Sequence, residues 1–317
     1  MSIYILCPYA IRTGGPEALH QLSDALIGQG ADARIAYYTQ AQADLLARSG
    51  VSEAYKFGDA AIAFDDYAHY ERNPVDAVPN ASGNIVVLPE PLCHLAPKFC
   101  EAKVLIWWLS VDNAFGALSR INLNLLRSPR VAHAVQSEYA RNVLLALGIK
   151  PSGLLGDYSA DVMGRVTDWR PAKQRARIAL FSANPNKVSA DLDAIFARVA
   201  DIDPTIDCQR LVGMSATATA QAMADARVFV DLGSFPGKDR MPREAAQLGC
   251  SVVLSKYGAA KEMSVHGMHY VDAGDVEAVA REVAALVETP FPARCDRIGE
   301  REAFMRQVKA VFDGLGA

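Results

Sequence analysis

Short apolar runs alternate with helical periods along the whole chain. That rhythm predicts parallel sheets covered by helices, an α/β fold. Residues 2–7 (SIYILC) predict a first strand, which a loop, RTGG, connects to a helix from Pro16 to about Gln29. Leu19, Leu22, Ala25 and Leu26 fall on one face of that helix. Further strands are predicted at 32–38, 84–88 (NIVVL), 103–109 (KVLIWWL) and 130–136 (RVAHAVQ). Ser137 is placed to cap the next helix, which runs to Leu147 and stops at Gly148. The stretch 58–83, with Asp65, Asp66, Pro74 and Pro79, breaks the rhythm and reads as helix plus loop.

A polar segment at 156–177, interrupted by Pro171, predicts a linker. Beyond it the alternation restarts, with strands at 177–182, 207–213, 227–232, 251–255 and 269–272. Helices are predicted at about 189–199, 216–225, 242–248 and 275–287. The chain therefore divides into a first domain at 1–160 and a second at 161–295. A charged amphipathic helix within 296–317 is expected to pack back on the first domain.

Composition narrows the function. The 317 residues are 51% hydrophobic and carry a net charge of -4, so no basic excess exists to neutralise a nucleic-acid backbone. Six cysteines at 7, 93, 100, 208, 250 and 295 form no CxxC pair and read as reduced thiols. Cys93, His94 and Cys100 lack a second ligand pair, so they read as core and not as a metal site. The start, MSIYILCPYA, lacks the features of a signal peptide, and no stretch has the length of a membrane span. The expectation is a cytoplasmic protein with at most peripheral membrane contact.

Four constellations carry chemistry. TGGPE at 13–17 places Gly14 and Gly15 between a strand and a helix start, where free amides form an anion site. Pro16 suits the first helical position. The segment is too incomplete for a dinucleotide fingerprint. GKDRMPRE at 237–244 repeats the design and gathers Lys238, Arg240 and Arg243. Cations at a helix N-terminus oppose the macrodipole, so a strong anion such as diphosphate is the expected partner. Glu244, one turn into that helix, is placed to accept hydrogen bonds from ribose hydroxyls. SANPNK at 182–187 brings Asn184 and Lys187 to the same sheet edge, with Lys187 set against a departing diphosphate. WWLSVDN at 107–113 leaves a strand with Asp112 as a candidate general base and Asn113 as a sugar ligand. Of Trp107 and Trp108, which alternate faces, at least one is expected inside. Glu90 in LPEP is the rival base, and His94 a further acceptor-side candidate. Asp191 and Asp193 form a DxD on a predicted helix, where their side chains diverge by about 200°. They read as helix-start acids.

The strand, glycine-containing loop and PREAAQLGCSVVLS over 226–256 resemble the nucleotide-binding segment of GT-B glycosyltransferases, especially glycosyltransferase family 4. Glu244 matches that family's ribose-binding glutamate, and TGGPE resembles its N-terminal glycine loop. Lys187 matches its phosphate-binding lysine by position. The resemblance implies two Rossmann-like domains whose parallel sheets face a central cleft. It also implies a nucleotide-diphosphate sugar as donor and a glycan or lipid-linked acceptor, by analogy in cell-envelope polysaccharide synthesis. No cofactor is implied, and lysine and arginine counter-charge makes a metal unnecessary. One departure stands out: Pro236 occupies the place of a second family glutamate, eight positions before Glu244. A non-catalytic nucleotide-sugar or glycan binder and a nucleotide-sugar epimerase are the alternatives, with a nicotinamide oxidoreductase behind them.

Overall fold

The computed structural model describes residues 1–58, 67–183, 190–263, 265–290 and 294–316. Two compact units divide the chain, Met1–Tyr158 with Arg301–Ala317 and Ser159–Glu300.

In the first unit, β1 (Ile3–Pro8) leads into α1 (Gly14–Gly28), β2 (Ala33–Tyr38) and α2 (Gln40–Arg48). Short strands β3 (Ala54–Lys56), β4 (Pro74–Val75) and β5 (Ala77–Pro79) follow. Then come β6 (Ile85–Pro89), β7 (Lys103–Trp108), two short helices α3 (Phe115–Leu118) and α4 (Leu123–Leu126), β8 (Val131–Val135), α5 (Glu138–Ala146) and β9 (Gly153–Leu154). The main sheet has the order β4-β2-β1-β6-β7-β8-β9 and is parallel throughout, while β3 and β5 form an antiparallel pair.

Several sequence expectations change here. The helix after β1 starts at Gly14, not Pro16, with Thr13 as the flanking residue. Within 58–83, residues 59–66 lie outside the described residues. The described rest adds two short strands to loop and turn: Pro74 opens an edge strand and Pro79 closes a short one. Proline is tolerated at both kinds of place. Trp107 and Trp108 are both fully buried, one in each of two cores on opposite faces of the sheet. A parallel sheet covered on both sides leaves no solvent face for either.

In the second unit, β10 (Ile178–Ser182), α6 (Leu192–Ile202), β11 (Asp207–Leu211), α7 (Ala216–Asp225), β12 (Val228–Asp231), α8 (Arg240–Gln247) and β13 (Ser251–Ser255) alternate. β14 (Val265–His266), β15 (Met268–Val271), α9 (Val276–Glu288) and β16 (Arg294–Cys295) complete it. Its parallel sheet has the order β11-β10-β12-β13-β15, with β14 and β16 paired apart. The DxD acids are helix-start residues: Asp191 accepts the Ala194 amide at 3.0 Å and Asp193 pairs with Arg210 at 2.8 Å.

The last helix, α10 (Arg297–Leu315), carries the chain back to the first unit. Phe304, Val308, Val311 and Phe312 are buried there in the same core as Trp107 and Leu19. Among the described residues no helix is long and apolar enough to cross a membrane.

Candidate functional site

Each sheet reverses its strand order once. In the first unit the chain steps from β1 outward to β2 and then crosses to β6 on the other side. In the second it steps from β10 to β11 and crosses to β12. Open α/β sheets bind ligands outside the carboxyl ends of the strands at such points, because the two following loops part there. The residues after β1, β6, β10 and β12 are therefore the ones to inspect.

After β1, Gly14 and Gly15 form the first turn of α1 with no side chain capping the helix. Neither has a positive φ, and a Cβ built on either meets nothing within 4 Å. The backbone does not require glycine here; its absence of side chain leaves the helix start uncovered. Below it lies a network that sequence reasoning missed. Glu17 is buried and accepts from Tyr70 Oη at 3.2 Å. His20 bonds the Pro16 carbonyl through Nδ1 at 2.7 Å and Tyr37 Oη through Nε2 at 2.8 Å, and it stacks on Tyr67 at 4.4 Å. Burial lowers the His20 pKa to about 4, so the ring is neutral at neutral pH. No motif betrays the tyrosine partners, since they come from distant segments.

After β6, Glu90 is buried, and its two carboxylate oxygens accept the Leu109 and Ser110 amides at 3.2 Å each. Those amides lead into the turn Val111–Ala114 that carries Asp112 and Asn113. Burial raises the Glu90 pKa to about 7, against the two amides that favour its charged form. Asp112 is half-buried and accepts from Tyr139 Oη at 2.9 Å, a partner not foreseen. Asn113 is exposed. His94 is half-buried, with its two ring nitrogens covered by the chain. Burial also pushes its pKa down. Ser137 caps α5 by accepting the Ala140 amide at 3.1 Å.

After β10, Asn184 and Lys187 lie outside the described residues. After β12, the buried Asp231 accepts the Gly233 amide at 3.0 Å, and Ser255 Oγ donates to the Gly233 carbonyl at 2.5 Å. The loop then reaches α8, whose flanking residue is Asp239. Lys238 is half-buried. Arg240 pairs with the buried Glu244 at 3.0 Å, and Arg165 approaches the same carboxylate at 3.8 Å. Arg243 is fully buried against Glu300 at 3.3 Å. Two of the three clustered cations thus meet carboxylates of their own unit. That answers part of the charge imbalance read from the sequence, and none of the three is splayed into bulk solvent.

Solved structures share this architecture. Over its whole length the chain is similar to Anabaena Alr3699/HepE in complex with UDP, with a TM-score of 0.62 and 13% identity, covering 98% of that chain. The fold is GT-B. A glycosyltransferase from Rickettsia africae gives a TM-score of 0.55 at 12% identity, covering 99% of this chain and 97% of its own. Sucrose-phosphate synthase from Thermosynechococcus elongatus gives 0.53 at 12% identity, with 100% and 97% covered. No family model and no curated protein matches the sequence.

Proposed function

We propose that this protein is a glycosyltransferase that moves a sugar from a nucleotide-diphosphate donor to a hydroxyl of a glycan or lipid-linked acceptor. The observation that carries the reading is the helix start beyond β12. There the second unit's sheet reverses its strand order, and Lys238, Arg240 and the buried Glu244 occur within seven residues. Glu244 is the ribose ligand in this reading, with Arg240 and Arg165 holding its carboxylate. Lys238, Lys187 and Asn184 serve the diphosphate. UDP is the favoured nucleotide, since it is the one bound to Anabaena HepE. Asp112, oriented by Tyr139, is the base for the acceptor hydroxyl, with Asn113 beside it on an exposed turn. The chemistry proceeds without a metal, because fixed cations and amides meet the charge that develops on the leaving diphosphate. A cytoplasmic place in cell-envelope polysaccharide synthesis completes the proposal.

The test is turnover of a panel of UDP-, GDP- and dTDP-sugars with and without acceptor, followed by release of the nucleoside diphosphate. Lys238→Ala should slow turnover roughly a hundredfold. Unchanged turnover would remove Lys238 from the site. A non-catalytic nucleotide-sugar binder is the second reading, favoured by Pro236 where the related enzymes carry glutamate. It predicts tight nucleotide binding with no release of sugar from any donor.

A further inference from the structure

Two carboxylates stand at the carboxyl edge of the first sheet, Glu90 after β6 and Asp112 after β7. Their surroundings separate them. Glu90 is 4% exposed, and its oxygens are turned to the chain: Oε2 accepts the Leu109 amide and Oε1 the Ser110 amide, both at 3.2 Å. Asp112 is half-buried, and its Oδ1 accepts from Tyr139 Oη at 2.9 Å. A base must offer an oxygen within hydrogen-bond reach of the acceptor hydroxyl. Asp112 meets that demand better than a carboxylate enclosed by backbone.

The chain from Trp108 to Asn113 is held at successive points. The Trp108 carbonyl accepts the Gln136 amide at 3.0 Å, and its indole donates to His133 Nδ1 at 3.1 Å, which fixes the end of β7 against β8. Glu90 then takes the next two amides. In a strand, successive amides point to opposite sides, toward different neighbours. Two consecutive amides converging on one carboxylate therefore mark a bend, and Ser110, at φ -141 and ψ 81, stands in it. The Ser110 carbonyl accepts the Asn113 amide at 2.9 Å, which closes the turn around Val111 and Asp112. Glu90 thus holds the amide of the same residue whose carbonyl closes the turn.

We infer that Glu90 is a positioning residue for Asp112. By gathering the Leu109 and Ser110 amides it fixes the bend after β7, and the bend sets where the Asp112 carboxylate stands beside Tyr139. Glu90 itself does not touch the acceptor. The inference rests on the base role proposed for Asp112, and it takes Glu90 out of the contest for that role.

The experiment pairs Glu90→Gln with Asp112→Asn in a double-mutant cycle on the full chain. Glutamine keeps the size but has one acceptor oxygen, and it sets an NH2 against the second amide. Hydrogen exchange over 109–113 should quicken about tenfold or more in Glu90→Gln, while 103–107 stays as in wild type. Turnover of the best donor of the panel is read with octyl glucoside and with water as acceptor. The kcat of Glu90→Gln should fall about tenfold, with nucleotide affinity by calorimetry unchanged. A residue that works through Asp112 costs nothing further once that carboxylate is gone, so the double variant should match Asp112→Asn within about threefold. A larger further loss means that Glu90 acts by another route and overturns the inference. Full activity of Asp112→Asn beside an inactive Glu90→Gln, the pattern of Glu90 as base, overturns it too. If Glu90→Gln does not fold, Glu90→Asp, with the same charge on a shorter stem, enters the same cycle. Absence of turnover by the wild type with every donor removes the base role and the inference with it. Wild-type turnover with additive losses removes the inference alone.

Discussion

Glu90 shows how one residue's surroundings decide its task. A carboxylate that accepts two adjacent backbone amides through separate oxygens holds a turn in place. Here that turn carries Asp112, so in the proposed function Glu90 supports the base and Asp112 meets the acceptor. The environment also creates a pH signature. The folded state raises the Glu90 pKa from 4.5 to about 7, so between those values the unfolded carboxyl has lost its proton while the folded one retains it. Stability from this group is full at low pH and is lost as pH rises through 7. His20 and His133, both lowered to about 4 by burial, act in the opposite sense and lose stability as pH falls below 6.5. Comparing wild type with Glu90→Gln by urea unfolding from pH 4.5 to 7.5 isolates the carboxyl. The stability difference should drift against wild type as pH rises, and a pH-independent difference would refute the assignment. Asp112 and the exposed Asn113 were readable as polar residues leaving a strand. Tyr139 and the His20 network were not, because hydrogen bonds between distant segments leave no periodic trace.

Helix and loop starts form the next scale. Strand–helix alternation and caps were legible because each depends on near neighbours: Ser137, Asp191 and Asp275 all accept an amide three residues on. The helix over Gln40–Arg48 went unpredicted, although its Thr39 and Gln42 form a capping box. The loop before α8 depends on a contact that pattern cannot show. Gly258 has φ +62, and a Cβ there would overlap the Phe235 carbonyl oxygen, which already accepts the Ala259 amide at 2.8 Å. Gly258→Ala must therefore displace the loop that leads to Lys238. Gly83 shares the positive φ, at +86, but has open space around it. Both alanine variants should lose about 1 kcal/mol from the left-handed backbone. Only Gly258→Ala should also weaken nucleotide binding, by tenfold or more. Equal binding by the two variants would show that the Phe235 contact does not govern the loop.

At the scale of the molecule, the chain builds one α/β unit, then a second, and then returns to the first through α10. The returning face is part of a core: Phe304 stacks on Trp107 at 6.3 Å and packs on Tyr158 at 5.5 Å. Gln307 accepts the Gly156 amide at 2.7 Å. Residues at the far end of the sequence therefore stabilise the fold of the beginning. Phe304→Ala should cost roughly 3–5 kcal/mol, the usual range for emptying a buried aromatic site. Unfolding followed through the tryptophans should register it, and a loss under 1 kcal/mol would mean that α10 is a loose appendage.

What the sequence determined by itself was the α/β alternation, the strand positions and the two helix starts rich in glycine or cation. All of these are set by short-range sterics and burial period, which neighbouring residues express. Only the tertiary structure decided that Arg243 is buried against Glu300, that Glu90 holds backbone amides, and that Asp112 accepts from Tyr139. Those outcomes depend on which distant carbonyl or carboxylate comes within hydrogen-bond reach. A charge along the chain does not reveal whether its partner will be a ligand or the protein itself.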